Sequence, residues 1–303
     1  MIKLAVIIPV FNTLNYTKKC LQYLTTYQHQ VNPEKMKLSI VITDDGSTDG
    51  TSDWIRQNYP QVELCKGDGN LWWSGGVNMG VKHALDNLNC DYILLWNNDI
   101  RPASNYLSVL SEILESNPTD QIILSAIYIE NAKEKTIFSR GGNFNPVSGK
   151  HQLIGMGKRV TEFIDPGIEI NWFPGMGTVI HKSVFQQIGY FDEKYFPQYK
   201  GDSDFALRAY KSGFKMKFYD DLEIWNDRTT TGYSNDKSLL VFIKSLTSKK
   251  SNINIYRDLL FYKRHASSIF AYKVLVRKYT VHIGGFLKWK VMGFFGFQRP
   301  NKY

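Results

Sequence analysis

Five short apolar runs dominate the first 130 residues: Leu4 to Pro9, Leu38 to Thr43, Val62 to Cys65, Tyr92 to Trp96 and Gln121 to Tyr128. A strand that is apolar at consecutive positions must be covered on both faces, as in a parallel sheet sandwiched between helices. The covering helices are legible between the runs. Cys20, Leu21, Leu24 and Tyr27, then Val77, Val81, Ala84, Leu85 and Leu88, recur at the spacing of one helical face. The order predicts an α/β chain with a doubly wound, mostly parallel, Rossmann-like sheet. From Asn131 to Asp165 the pattern loosens into Gly- and Asn-rich segments that suit hairpins or a long loop. Ser183 to Ile188 and Asp202 to Lys211 then read as helices, the second ended by Gly213, with a strand over Phe214 to Asp220.

The net charge of +9 is unevenly distributed. Residues 237–303 hold 14 Lys+Arg against one acid, Asp258, a balance of +13, which leaves 23 basic against 27 acidic residues, or −4, for residues 1–236. A domain boundary is therefore expected near Gly232 to Lys237. It would separate a body over 1–236, itself split at about residue 130, from a basic, amphipathic, helical extension over 237–303. The three cysteines, Cys20, Cys65 and Cys90, suggest neither a disulfide framework nor a zinc site and fit a reducing, cytoplasmic compartment. The opening run Leu4 to Phe11 is too short to span a bilayer and is read as a first strand rather than a signal peptide.

In a doubly wound sheet, ligands bind beyond the carboxyl ends of the strands. Here every strand end is decorated: Pro9-Val10-Phe11-Asn12, Asp44-Asp45-Gly46-Ser47-Thr48-Asp49-Gly50, Gly67-Asp68-Gly69-Asn70 and Asn97-Asn98-Asp99. Each alone suits an ordinary turn; four on one edge point to a site. No P-loop occurs and no G-x-G-x-x-G follows a strand, since Gly155-Met156-Gly157 and Gly175-Met176-Gly177 lack the third glycine. The remaining way to hold a diphosphate is a hard divalent cation on a strand-end carboxylate, and Asp99 fits that role. The alternative is that Asp99 caps a helix starting at Pro102.

The ordered set VIIPVFN, VITDDGSTDGT, GNLWWSGGVNMG and LLWNND resembles the inverting family 2 glycosyltransferases of GT-A fold, over about residues 3–230. The resemblance implies a nucleotide-sugar pocket lined by Pro9, Phe11 and Asn12, with Asp44 or Asp45 on the base. Asn70, Trp73, Gly75 and Asn78 from the third motif would also face the donor. The family's D-x-D stands here as Asn97-Asn98-Asp99, so Asp99 would be the metal ligand, for Mg2+ or Mn2+, and Asn98 would face the ribose or diphosphate. One carboxylate fewer implies weaker or water-mediated metal binding. Tyr199 to Arg208 resembles the family's E-D-x-D with Gly201 in place of Glu, and puts the catalytic base on Asp202. The alternative for Asp202 is a helix cap, and Asp204 with Arg208 suits a structural i, i+4 salt bridge.

Asn171 to Thr178 resembles the loop that shapes the acceptor pocket, giving Trp172, Gly175, Met176 and Gly177 as acceptor residues; for Trp72, Trp73 and Trp172 the alternative is core packing. The further metal-binding His of many members is missing, with Asn226 and Asp227 in its place, while His181 is read as structural at the start of a helix. The expected activity is transfer of a hexosyl or rhamnosyl unit from a UDP- or dTDP-sugar to a saccharide or lipid-linked acceptor in bacterial surface polysaccharide synthesis. Alternatives are a sugar-phosphate nucleotidyltransferase and a non-catalytic scaffold. Within 237–303, Leu239 to Ile243, Leu259 to Tyr262 and Phe286 to Phe297 mix apolar clusters with cations, which suits an anionic membrane surface on the inner face of the cytoplasmic membrane. The alternatives there are packing on the body or a homo-oligomer. No nucleic-acid motif is present.

Overall fold

A computed structural model describes residues 1–116, 119–130, 132–227, 238–295 and 297. They gather into two compact units, one built from residues 1–143 and 152–227, the other from 144–151 and the C-terminal helices. The boundary expected near Gly232 to Lys237 lies outside the described residues.

The larger unit begins β1 (Ile2–Val10), α1 (Leu14–Gln28), β2 (Met36–Asp44), α2 (Thr51–Asn58), β3 (Glu63–Lys66), α3 (Trp72–Asp86) and β4 (Tyr92–Leu95). These strands lie in the order β3-β2-β1-β4, all parallel. Leu4 to Ile8 of β1 are at most 1 % exposed, the two-sided burial that their continuous apolar run requires. Cys20, Leu21 and Leu24 of α1, and Val77, Val81 and Ala84 of α3, face the sheet and are buried. α3 approaches closely because Gly76 and Gly80, one turn apart, leave room only for Pro9 and Ile7 of β1.

The second half adds β5 (Ile100–Pro102), α4 (Tyr106–Ser116), β6 (Gln121–Ile129), β7 (Ile137–Ser139), the hairpin strands β8 (Gly142–Phe144) and β9 (His151–Leu153), β10 (Thr178–His181), α5 (Lys182–Ile188), α6 (Gly201–Lys211) and β11 (Lys215–Asn226). β10 enters antiparallel between β4 and β6, β11 runs parallel to β6, and β5 closes the edge antiparallel to β11. The sheet is thus mixed but mostly parallel, as expected. β11 extends six residues past the expected end at Asp220 because a register shift between Tyr219 and Glu223 lets it resume pairing with β6. Residues 100–102 are a strand rather than the start of a helix, which begins at Tyr106, so Asp99 is not a helix cap.

The smaller unit contains α7 (Leu239–Thr247), α8 (Ile255–His265) and α9 (Tyr272–Phe294). Phe144 meets Phe261 edge-on at 5.3 Å, and the Tyr262 hydroxyl donates to the Gly149 carbonyl at 2.6 Å. Phe242 of α7 stacks on Phe286 of α9 at 4.1 Å. Asp258, buried on α8, accepts from Lys278 and, at 2.6 Å, from the Tyr279 hydroxyl, both on α9. The single acid of the C-terminal segment is therefore an internal tie.

Candidate active site

Because β1, β2 and β4 are parallel, the loops that follow them leave the same edge of the sheet. Their side chains tie the loops together. The Asn12 amide donates to Ser47 Oγ and Asn12 Oδ1 accepts from the Thr48 amide, both at 2.8 Å, joining the loop after β1 to the loop after β2. Asp44, 2 % exposed, accepts from the Ser47 amide at 2.9 Å and from Ser52 Oγ. Asp45, 7 % exposed, reaches across to the loop before α3 and accepts from the amides of Gly69 (2.8 Å), Leu71 (3.2 Å) and Trp72 (3.0 Å). It therefore supplies the anionic cap that the start of α3 lacks in its own sequence. Asp45→Ala is expected to leave these amides without their acceptor at a cost of about 1–3 kcal/mol. At roughly 2–4 °C per kcal/mol for a domain of this size, calorimetry should record a Tm lower by about 5 °C; an unchanged Tm would show the cap to be dispensable.

Each residue of Asn97-Asn98-Asp99 is held by a different element. Trp73 Nε1 donates to Asn97 Oδ1 at 3.1 Å. Asn98 Nδ2 donates to Thr13 Oγ1 at 2.7 Å and to Thr17 Oγ1 at 3.0 Å, at the start of α1. The Asp99 carbonyl accepts from the Asp227 amide at 3.3 Å, and the Asp227 carboxylate accepts from the Tyr16 hydroxyl at 3.2 Å. Three consecutive residues are thereby pinned from α3, α1 and the end of β11. Neither Thr13, Tyr16 nor Thr17 carries a motif that would mark it in the sequence.

Asp202 sits in the first turn of α6. Its Oδ1 accepts from the Ser203 amide at 2.7 Å and its Oδ2 from the Gly175 amide at 3.3 Å. Burial pushes its carboxyl above the usual carboxylate range, against the opposing pull of the Ser203 amide, the Lys200 charge and the Gly175 amide. A carboxylate that binds its proton more tightly than usual is a better proton acceptor. Asp204 pairs with Arg208 at 3.0 Å, and Arg208 also donates to the carbonyls of Ile188 and Tyr190, so this pair is structural as expected.

Trp73 links the two halves of the site. Its amide donates to Gln198 Oε1 at 3.2 Å, its Nε1 holds Asn97, and its six-membered ring lies where a Cβ on Gly175 would fall, closer than 3.0 Å. The residue that donates to Asp202 is thus the one against which Trp73 rests. Gly177, at φ +63°, donates to the Leu95 carbonyl at 2.8 Å and anchors the far end of this loop to β4. Three non-glycine residues of the site, Asn12, Trp72 and Lys200, have φ of +51°, +58° and +71°. For a residue as bulky as Trp72 this conformation costs of order 1–3 kcal/mol, a strain that the surrounding hydrogen bonds must hold.

A family model described as "Glycosyl transferase family 2" matches residues 5–189, more than half of the chain. The chain belongs to glycosyl transferase family 2. Among curated proteins it is 27 % identical over 185 residues to the Low-salt glycan biosynthesis hexosyltransferase Agl10 of Haloferax volcanii, covering 58 % of this chain and 54 % of that one. It is 24 % identical over 209 residues to an N-acetylglucosaminyl-diphospho-decaprenol L-rhamnosyltransferase of Mycobacterium tuberculosis, covering 62 % and 66 %. The chain therefore matches between about half and two thirds of the length of these relatives. Among solved structures, S. aureus TarS 1-349 superposes with a TM-score of 0.53 at 14 % identity, over 93 % of this chain and 74 % of that one. TarS 1-349 in complex with UDP-GlcNAc gives 0.52 at 13 % identity, over 88 % and 71 %. These likenesses bear out the GT-A architecture expected of the family.

Within that family frame, the residues expected to meet the donor occupy two kinds of position. Phe11, 50 % exposed, and the exposed Asn12 and Asn70 stand at the open ends of the loops. Pro9 lies within β1 against Gly76, and Gly75 is buried in the first turns of α3 beside Leu71. Asn78 is spent on structure: its Nδ2 donates to the Phe191 carbonyl and Glu193 Oε2, and its Oδ1 accepts from the Phe191 amide. Trp172 is 8 % exposed with its indole packed on Gly142, a core position rather than an open face for a sugar. Met176 is half-buried against the main core. His181 caps α5, accepting from the Ser183 amide at 3.2 Å, the structural role expected of it. Gln198 and Ser74, which hold Trp73 and the segment before α6, carry no sequence signal because their partners are distant in the chain.

Proposed function

We propose that the protein is an inverting glycosyltransferase that moves a sugar from a nucleoside-diphosphate donor to a hydroxyl of a saccharide or lipid-linked saccharide. The observation that carries this reading is Asp202, a desolvated carboxylate held by Gly175 and Ser203 on the loop that also rests on Trp73 and, through it, on Asn97. In this mechanism Asp202 takes the acceptor hydroxyl proton as that oxygen attacks the anomeric carbon, and the nucleoside diphosphate leaves from the opposite face. Gly175 and Ser203 orient the carboxylate. Phe11, Asn12 and Asn70 would receive the nucleotide, with Asp44 and Asp45 shaping the base pocket through the loops they hold. Met176 and Gly177 would border the acceptor.

A divalent cation fits the residues present. Asp99 and Asp227 are neighbours across the end of β5 and β11, both offer hard oxygen donors, and such ions complete their shell with substrate phosphates and water. Bound Mg2+ or Mn2+ would supply neutralisation of the departing diphosphate. The names of the relatives support a hexosyl or rhamnosyl donor and a lipid-diphosphate acceptor, and hence a cytoplasmic enzyme working at the inner face of a membrane.

The test is a thermal-shift screen of UDP- and dTDP-sugars with and without Mn2+, followed by a transfer assay. A matched donor at about a hundred times its Kd is expected to raise the unfolding free energy by about 2.7 kcal/mol, or roughly 5 °C or more. Asp99→Ala should abolish the metal-dependent part of that shift. No stabilisation by any nucleotide sugar would refute the function, and an equal shift in EDTA would refute the metal.

A further inference from the structure

We propose that the outer face of α9 is a docking surface for a bilayer containing anionic phospholipid. α9 uses one face internally. Leu275, Tyr279, His282 and Phe286, spaced four, three and four residues apart, point toward α7 and α8: Leu275 is buried, Tyr279 reaches Asp258, and His282 and Phe286 stack on Phe242 at 5.2 and 4.1 Å. A second face, roughly a quarter-turn round the helix, carries Val276, Ile283, Leu287, Val291 and Phe294, again at helical spacing, and these are 66, 39, 57, 57 and 87 % exposed. A row of large apolar side chains left open to water is the mark of an interaction surface rather than of scattered exposure.

Charge selects the occupant. α9 contains Lys273, Arg277, Lys278, Lys288 and Lys290 and no acid. Lys278 is neutralised by Asp258, leaving four exposed cations on the flanks of the apolar row. The only acid in residues 237–303 is that buried Asp258. A second copy of α9 would set cation against cation with no exposed carboxylate in the segment to offset them. A surface of phosphate headgroups over hydrocarbon matches both features: the row enters the interface and the flanking cations extend to the phosphates.

The start of α9 continues the same chemistry. Ile269 and Phe270, 75 and 61 % exposed, join Val276 and Val281 in an open apolar groove of about 570 Å³ with Lys273 and Arg277 among its lining residues. Among the described residues no helix is long and apolar enough to cross a membrane, so α9 lies on the surface instead of spanning it. This inference needs only the C-terminal helices and stands or falls independently of the sugar chemistry.

The experiment is flotation of the full-length protein with vesicles of phosphatidylcholine alone or with 30 % phosphatidylglycerol. At about 1 kcal/mol per cation near an anionic surface, each basic residue contributes roughly fivefold. Binding is therefore expected on the anionic vesicles, at least tenfold weaker on neutral ones, and reduced at 0.5 M salt, where the Debye length falls to a few ångströms. Leu287→Asp/Val291→Asp should lose at least tenfold in binding, as should Lys288→Glu/Lys290→Glu. All four side chains are exposed, so Tm should stay at the wild-type value and donor-induced stabilisation should be retained. Equal binding to both vesicle types, no binding to either, or a concentration-dependent dimer that Leu287→Asp/Val291→Asp dissolves would overturn the proposal.

Discussion

Asp202→Asn lowers the transfer rate by roughly 10²–10⁴-fold, the usual contribution of a positioned general base, while the donor still stabilises the protein as it does the wild type. The substitution is nearly isosteric, and the amide oxygen can still accept from the Ser203 amide that now bonds Oδ1 at 2.7 Å. The other end becomes an NH2 facing the Gly175 N–H, which cannot accept, so the loop over 173–177 also loses one of its ties. A loss of turnover with intact donor binding separates the base from a general collapse of the site; turnover within a few-fold of wild type would remove Asp202 from the mechanism. The pH profile supplies an independent reading. A base must be ionised to act, so activity falls as pH drops through its pKa, and burial raises that pKa above the ordinary Asp value of 3.8. The acid limb of kcat/KM is expected above the range of an ordinary Asp, and a limb at the unperturbed value would show that the titrating group is another one.

The parts of this protein that were legible in the sequence are those where one segment carries its own signal. β1, β2 and β4 are read from apolar continuity, α1 and α3 from spacing, and the Asp-, Asn- and Gly-rich strand ends from the fact that these residues turn the chain. β10 and β5 carry no such signal. Thr178 to His181 is only four residues long, and its strand character comes from β4 and β6 on either side. Ile100 to Pro102 is a strand only because β11 resumes pairing after its register shift, and Arg101 is fixed by its stacking on Trp225 at 4.3 Å.

The site divides in the same way. The motifs name the loops, but what arranges them are contacts such as Asn98 with Thr13 across 85 residues, Trp73 with Gln198 across 125 and Tyr16 with Asp227 across 211. Resemblance ascribed donor contacts to Asn78 and acceptor contacts to Trp172, whereas the structure spends the first on Phe191 and buries the second against Gly142. A motif residue can be indispensable because it places a neighbour, and spacing alone does not distinguish that from touching a ligand.

Gly201 puts this distinction to its sharpest test. Reinstating the Glu that the family motif carries at this position is expected to damage the protein. Leaving glycine at the start of a helix gains up to about 1 kcal/mol in propensity, and an acid there would also suit the helix dipole. Against this, a Cβ at Gly201 would sit closer than 3.0 Å to Ser74 Oγ and 3.0 Å from the Phe196 carbonyl, while Ser74 Oγ itself donates to that carbonyl at 2.6 Å. The neighbours are a buried α3 side chain and backbone, neither free to swing away, so an overpacking cost of about 1–3 kcal/mol outweighs the gain. Gly201→Glu should therefore lower Tm by several degrees and turnover by more, since α6 carries Asp202 on the next residue. The decisive measurement is a double-mutant cycle with Gly201→Ala and Ser74→Ala. Removing the hydroxyl leaves the Ser74 Cβ at an ordinary 3.6 Å from the new methyl, so the second substitution should relieve the first by about 0.5–2 kcal/mol. Additive effects, or a Gly201→Ala protein as stable as the wild type, would mean that α3 does not dictate glycine here and that the departure from the family motif has another origin.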